Sequence, residues 1–290
     1  TDHRPSVAPF RGSDARFATN PFVCALPARN GEPVVLDMAT SGVANGKIRV
    51  ARNKGEKVAP GLLIDAQGQG GALLVSLDVL NVGLPEMQRL ESALCHVTGL
   101  PSEAVWIMVS HSHSAPIVGA IDDYTGLGPW WSAVCDRIIS SVQTLGRRLQ
   151  PVHFEHGIGT CGFNVNRRLV GPDGCSMLPN EEGVCDKRVP VLACRSEDNS
   201  LIGLCYSYCC HPTILLGPQI SGDYPGQASL ALEEEHGGVA LFLPGTFGNV
   251  RPHLVDDRGA FRTCIPEDAA DCARQLQIGV NEGLAYTEDV

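Results

Sequence analysis

Apolar positions along the chain follow two periods, and together they predict a mixed α/β fold. Ala72–Leu80 is almost continuously apolar and predicts a buried strand. Pro85 then opens a helix with Met87, Leu90, Leu94 and Val97 on one face and Gly99 as its stop. His96 lies off that face and reads as solvated. Val105–Val109 predicts a second strand. Strand, helix, strand at this spacing is a βαβ-type unit, which implies parallel strands in one sheet. Trp131, Val134, Ile138, Ile139, Val142 and Leu145 mark a second amphipathic helix.

Further along the period shortens to two. Between Leu201 and His211, Leu204, Tyr206, Tyr208 and Cys210 take one face, and Cys205, Ser207, Cys209 and His211 the other. Ile220–Gly226 is rich in turn residues and feeds a helix to about Glu235. Val239–Leu243 is a further strand, and Pro266 opens a last helix to about Gly283. Upstream the pattern is weaker. Residues 1–14 read as a tail, Val34–Leu36 as a short strand, and Gln67–Gly71 as a glycine-rich junction where the character of the chain changes.

Composition narrows the classes. The formal net charge of −10 over 290 residues argues against nucleic acid, which selects a basic face. No apolar run reaches the length of a transmembrane helix. The twelve cysteines show no paired Cys-x-x-Cys pattern, and several sit within apolar runs as small hydrophobes. Cys161, Cys175 and Cys185 lie in a loop-rich stretch and are candidates for a disulfide in an exported protein.

The candidate chemistry centres on Ser110-His111-Ser112-His113-Ser114, where a strand ends in two histidines two residues apart. Strand ends in α/β proteins face the ligand crevice. In extended chain, residues i and i+2 point the same way, so both imidazoles reach one point. His211 arrives at the end of another strand, before Pro212, which adds a third imidazole at the same kind of position. Two surface histidines and a structural third remain the plainer alternative.

Two resemblances follow from quoted segments. Thr19-Asn-Pro, Asp37-Met-Ala-Thr-Ser41 and Ala44-Asn-Gly-Lys47 resemble the malate/L-lactate dehydrogenase family that does not use a Rossmann domain. That likeness implies nicotinamide cofactor (NAD(P)) contacts at Asp37, Thr40 and Ser41. Residues 72–283 resemble the N-terminal catalytic region of the neutral/alkaline non-lysosomal ceramidase family. The segments are Ser110–Pro116, Gly162-Phe-Asn-Val-Asn-Arg-Arg168, Cys210-His-Pro-Thr213, Ser221-Gly-Asp-Tyr-Pro-Gly226 and Phe247-Gly-Asn-Val-Arg-Pro252. This resemblance implies hydrolysis of an N-acylsphingosine amide with one zinc ion. It assigns His111 and His211 to the metal, places His113 near the reacting carbonyl and makes Arg167 an active-site arginine. Asp223 is a candidate general base or outer-shell partner, or else only the pin of its own turn.

The sequence also departs from the ceramidase pattern. Asn249 and Arg251 stand where that family has an aspartate and a serine. The family's remaining zinc ligands, a glutamate and a tyrosine, are expected beyond residue 290. Asp78 or Asp223 is then a candidate third ligand. A guanidinium at Arg251 facing the zinc would repel it and favour an anion.

The expected organisation is a tail (1–14), a dehydrogenase-like fragment (15–68) and a truncated ceramidase-like amidohydrolase domain (69–290). The expected fold is a mixed, partly parallel sheet flanked by helices, taking a small or lipid amide as substrate. An oxidoreductase fragment and a non-catalytic chimera are the rival readings. The ceramidase-like part suggests export and the dehydrogenase-like part the cytoplasm. Compartment and oligomeric state stay open.

Overall fold

The computed structural model describes residues 72–119, 127–145, 150–172, 174–216 and 219–289, with the backbone of 21–26 and 34–39. The chain divides into two compact units, Thr1–Leu74 with Glu91–Trp106 and Val75–Leu90 with Ile107–Val290. The junction expected at Gln67–Gly71 lies outside the described residues.

In the N-terminal stretch, β1 (Pro21–Leu26) and β2 (Val34–Ala39) pair antiparallel, with Leu26 opposite Val34. The strand expected at Val34–Leu36 therefore forms, and Pro21–Leu26 is its partner. The first strand of the expected βαβ unit is β3 (Leu73–Leu77), shorter than the apolar run that predicted it. Next come β4 (Asn81–Val82), helix α1 (Leu84–Thr98), β5 (Val105–Val109) and β6 (Ile117–Val118). β3 pairs with β5, and β4 with β6 in parallel. Helix α1 buries Leu90 and Leu94 of the predicted face, and His96 is exposed as expected. Helix α2 (Gly128–Leu145) buries Trp131 and Val142.

The larger sheet begins with β7 (Val152–Thr160). Three short strands follow, β8 (Asn164–Asn166), β9 (Leu169–Gly171) and β10 (Gly174–Ser176). Then come β11 (Arg188–Ser196), β12 (Leu201–Tyr208), helix α3 (Asp223–His236), β13 (Val239–Pro244) and β14 (Val250–Pro252). Helix α4 (Pro266–Ala285) and β15 (Glu288–Asp289) end the described chain. Five of these strands form one sheet in the order β13-β12-β11-β7-β15. β12 and β13 run parallel, while β12, β11 and β7 alternate in direction. The expected mixed, partly parallel sheet is what forms.

Its core explains the period-two reading. Leu204, Tyr206 and Tyr208 of β12 are buried, joined by Val189 and Val191 of β11 and Phe242 of β13. Leu232 of α3 and Leu276 and Val280 of α4 close the same cluster. Each such side chain contributes about 1.5–3 kcal/mol by leaving water. No helix among the described residues is long and apolar enough to cross a membrane.

Two strands of this sheet carried no clear sequence signal. In β7 the positions facing α4 include Gly157 and Gly159 instead of large apolar residues. A Cβ on Gly159 would run into the Gly279 carbonyl oxygen, and one on Gly157 into that of Gly283. Helix and strand backbones touch there, so the pattern is written in glycines. In β11, Pro190 opposite Ile158 lacks a ladder donor, which argues against a central strand. Val189 and Val191 on either side of it are fully buried and decide the matter.

Helix α3 starts at Asp223, before the expected start after Gly226. The Asp223 carboxylate accepts the Tyr224 N–H, and the Ser221 hydroxyl accepts the Asp223 N–H. These side chains satisfy first-turn donors that otherwise lack partners. Among the cysteines proposed for a disulfide, Cys161, Cys175 and Cys185 are free thiols. Burial pushes the Cys161 thiol up, so it stays protonated.

Candidate active site

The site is assembled from three chain segments, each leaving a strand. After β5 the backbone continues along β3: Ser110 N–H donates to Leu77 O and His111 N–H to Val79 O. The alternation of His111-Ser112-His113-Ser114 then sorts the side chains. Ser112 and Ser114 point inward, are buried, and both donate to the Ser221 carbonyl, at 2.8 and 3.1 Å. The two imidazoles are thereby turned to the other side. His111 holds a positive φ of 62°, a conformation that costs a non-glycine residue about 1–3 kcal/mol and tends to survive at functional sites.

His211 follows β12. Its N–H donates to Val250 O beside β14, and the His113 N–H donates to Pro212 O. The loops bearing the histidines are thus fastened to each other. Phe247 closes one side, its ring 4.8 Å from that of His211 and 5.5 Å from that of His111.

Three imidazoles result at one point. One ligand nitrogen from each of His111, His113 and His211 lies within 4.8 Å of the other two. His113 Nε2 and His211 Nε2 are 2.9 Å apart. His111 Nδ1 sits 2.7 Å from the Leu80 carbonyl, which can only accept. That contact fixes the proton on Nδ1 and leaves Nε2 with its lone pair free, the tautomer of a metal-binding histidine. Burial, helped by the charges of Arg167 and the neighbouring histidines, takes His211 down to about 3. Burial also lowers His113, with His111 and Arg167 adding to it. Both rings are neutral at pH 7 and offer lone pairs.

This donor set fits zinc. Tetrahedral Zn–N bonds of about 2.0–2.1 Å place ligand nitrogens about 3.3 Å apart. The nitrogens here span that separation. In addition, His211 Nδ1 is buried with no hydrogen-bond partner. An orphaned polar atom next to a cluster of lone pairs is unusual in a finished core.

Arg167 stands by the cluster. Its guanidinium donates to Gly248 O at 2.8 and 3.2 Å, and its N–H donates to Asn249 O. Its charge depresses both His113 and His211. Burial and the charges of Arg168 and Arg251 in turn lower Arg167.

Two aspartates are not drawn in. Asp223 is fully buried, and its carboxylate accepts the N–H groups of Ile214, Leu215 and Tyr224. Its contacts fasten backbone and none reaches an imidazole, so its surroundings are those of the turn pin. Asp78 rests against the first turn of α3, where a Cβ on Gly222 would meet its Oδ2 at 3.0 Å. Neither is among the converging donors.

Arg251 is the other cation of this region, and its charge reaches Arg167. Its strand does lie beside the cluster, through the Val250 O contact to His211. Its guanidinium carbon, however, sits 4.3 Å over the Phe261 ring. Alternation along β14 buries Val250 and Pro252 and turns Arg251 to the other side of the strand. The cation acting on the histidines is Arg167.

Sequence reading found the three histidines and Arg167 but not their fasteners, Leu80, Ser112, Ser114, Ser221 and Phe247. The alternation of serine with histidine was the available signal. In the dehydrogenase-like segment, Asp37 lies in β2 opposite Val23. Thr40 and Ser41 lie outside the described residues.

Comparison with solved structures gives the architecture a counterpart. Neutral ceramidase from Pseudomonas aeruginosa superposes with a TM-score of 0.55 at 23% identity, over 68% of this chain and 35% of that one. A ceramidase complexed with C2 gives 0.56, also at 23% identity, over 69% and 33%. The fold is ceramidase-like.

The N-terminal stretch is similar to other proteins. The malate/L-lactate dehydrogenase family matches residues 1–71. Hydroxycarboxylate dehydrogenase B of Escherichia coli (strain K12) is 55% identical over 64 residues, 22% of this chain and 18% of that protein. Malate dehydrogenase of Pyrococcus abyssi is 45% identical over 69 residues, 24% and 19%. The chain therefore spans about a third of the ceramidases and less than a quarter of the dehydrogenases it matches.

Proposed function

We propose that the chain carries the histidine face of a zinc-dependent hydrolase of N-acyl amides, with an N-acylsphingosine as substrate. The observation that supports this reading most is the convergence of three imidazoles beside Arg167, at strand ends of a ceramidase-like fold. In the reading, His111 and His211 hold the metal. Zinc in such a site supplies Lewis-acid polarisation of the amide carbonyl and a more acidic water.

The chain's own residues prepare that chemistry. Leu80 O holds His111 in the tautomer that offers Nε2. Burial keeps His113 and His211 neutral, so that each ring has one nitrogen lone pair to offer the ion. Arg167, fixed by Gly248 O, provides a permanent cation for the oxyanion that develops and for the carboxylate released.

The test is release of fatty acid from an N-acylsphingosine by the chain stripped of metal and then supplied with zinc. Hydrolysis is expected only with zinc, and His111→Ala or His211→Ala should lower it about 100-fold or more. Hydrolysis that persists in the stripped protein, or no hydrolysis with zinc bound, overturns the reading.

A second reading attaches to the N-terminal stretch. Its 55% identity to a hydroxycarboxylate dehydrogenase favours a nicotinamide-binding segment at residues 1–71. Quenching of intrinsic fluorescence by NADH, abolished by Asp37→Ala, tests it. No quenching at millimolar NADH would remove it.

A further inference from the structure

We infer that Arg251 and Arg168 join Arg167 in a subsite for an anionic group, so that the N-acyl amide this chain takes carries a carboxylate or a phosphate near its amide. The inference rests on the amide-hydrolase reading above and adds to it the charge of the substrate.

The three arginines are gathered by one strand pair. β8 and β14 run antiparallel with Arg251 opposite Val165, and the Arg167 N–H continues the ladder by donating to Asn249 O. Residues two apart share a side of a strand, so Arg167 leaves on the side of Val165 and Arg251. Burial lowers Arg167, and the charges of Arg168 and Arg251 add to that effect.

Each guanidinium keeps donors in reserve. Arg167 spends Nε and Nη2 on Gly248 O, at 3.2 and 2.8 Å, and Arg168 spends Nε on Asn249 Oδ1 at 3.2 Å. A guanidinium has five N–H donors, so the Nη1 group of Arg167 and both terminal nitrogens of Arg168 remain to be used. Arg251 lies with its guanidinium carbon 4.3 Å over the Phe261 ring, and its Nε is buried with no hydrogen-bond partner. A stacked guanidinium donates along its edges, in the plane where an oxyanion binds.

No described carboxylate answers these charges. The chain has 32 acidic residues against 22 Lys and Arg. Its arginine ion pairs among the described residues nevertheless go to Arg89, Arg188, Arg195, Arg262 and Arg274, and to none of these three. Gathered like charges repel, and a bound anion relieves the repulsion. Guanidinium forks match the paired oxygens of a carboxylate or a phosphate. One cation suffices for the oxyanion of the reaction, which leaves two for the substrate. Arg167 acts on His113 and His211, so the anionic group lies near the amide to be cleaved. The hydroxyl headgroup of an unmodified N-acylsphingosine brings no such charge. Its phosphate ester does, and so does an N-acyl amino acid.

The experiment is isothermal titration calorimetry of the metal-stripped full chain with three ligands that differ only in one group near the amide. They are N-octanoylethanolamine with a hydroxyl, N-octanoylglycine with a carboxylate, and the phosphate ester of N-octanoylethanolamine. At least one anionic ligand is expected to bind about tenfold or more tighter than the hydroxyl form, and the tighter of the two names the group that is read. Added salt should shrink the preference. Arg251→Gln and Arg168→Gln should each reduce it about fivefold or more. Arg274→Gln, at an exposed arginine of α4 paired with Asp271, should keep it in full. Circular dichroism checks the fold of Arg251→Gln, and the exposed Arg168 decides the matter if that variant unfolds.

Equal binding of the three ligands, binding of none, or a preference that Arg168→Gln keeps in full overturns the inference. The zinc reading fails separately. An arginine-dependent preference without amide hydrolysis when zinc is bound removes that reading and leaves the anion subsite standing. Hydrolysis of an N-acylsphingosine by a chain with no such preference removes the subsite alone.

Discussion

The Asp223 carboxylate accepts the backbone N–H of Leu215 at 2.9 Å, and through it the segment after His211 is fastened to the start of helix α3. The same oxygen takes the Ile214 N–H, also at 2.9 Å. Asp223→Ala would leave three N–H groups buried without acceptors, each costing about 1–3 kcal/mol. Urea unfolding should show a loss of about 3 kcal/mol or more. Asp223→Asn keeps an acceptor and tolerates the positive φ of 54°, so it should lose clearly less. Equal losses in the two variants would mean that the charge, not the geometry, matters.

The backbone contact between β7 and α4 makes a second prediction. Gly159→Ala pushes a methyl group against the Gly279 carbonyl, where backbone must move. Overpacking of this kind costs about 1–3 kcal/mol, and the upper end applies because no flexible side chain can give way. Thermal unfolding should drop by several degrees. Gly162→Ala, where a Cβ meets nothing within 4 Å, is the control. Indistinguishable midpoints for the two would refute the close approach.

Arg167 should be visible through its neighbours. Its charge helps to depress His113 and His211, so Arg167→Met should raise the pH at which both titrate. Proton NMR of the stripped chain with labelled histidine measures this directly. His253, on the surface beside Glu181, serves as the internal reference. Unmoved titrations for these two rings would place the guanidinium elsewhere.

Acid should destabilise the metal-free chain through His211. In the unfolded state this ring takes up its proton near the ordinary value of about 6.5, and in the folded state at about 3. Between those values the unfolded chain binds more protons, so stability is intact above about pH 6.5 and declines as pH falls toward 3. In His211→Gln that part of the decline is absent. Denaturant midpoints from pH 7 to pH 4 should therefore converge for the two proteins as pH falls. Parallel curves would contradict the buried neutral ring.

Arg251→Ser tests which face the guanidinium occupies. With the cation over Phe261, the substitution should leave cobalt and zinc affinity within about twofold, a shift of only about 0.4 kcal/mol by the tenfold-per-1.4 kcal/mol rule. It should cost about 1 kcal/mol of stability through the lost cation–π contact. A large gain in metal affinity would restore Arg251 as the group that repels the ion.

Much of this protein was determined locally and is therefore legible in the sequence. The helix containing Leu90 and Leu94, the last helix from Pro266, and the alternation of Leu204, Tyr206 and Tyr208 follow from short-range periodicity. The closeness of His111 and His113 is legible only from their spacing of two, because the chain is not extended there: His111 holds a φ of 62° and a turn begins at His113.

What the tertiary structure decided depends on residues distant in the chain. β7 became a sheet strand because Gly157 and Gly159 meet glycines of α4, over a hundred positions away, and no local period encodes that. His113 came to face His211 because packing brings their Nε2 atoms to 2.9 Å across a separation of 98 residues. Asp223 was a candidate base by its chemistry and a fastener by its neighbours, because full burial spends its oxygens on Ile214, Leu215 and Tyr224. Arg251 was a candidate group facing the site, and strand alternation stacks it on Phe261. Sequence gives each group its chemistry; which partners are within 3 Å is settled by packing, and in a low-dielectric interior those partners decide whether a polar group binds an ion, holds a loop or does neither.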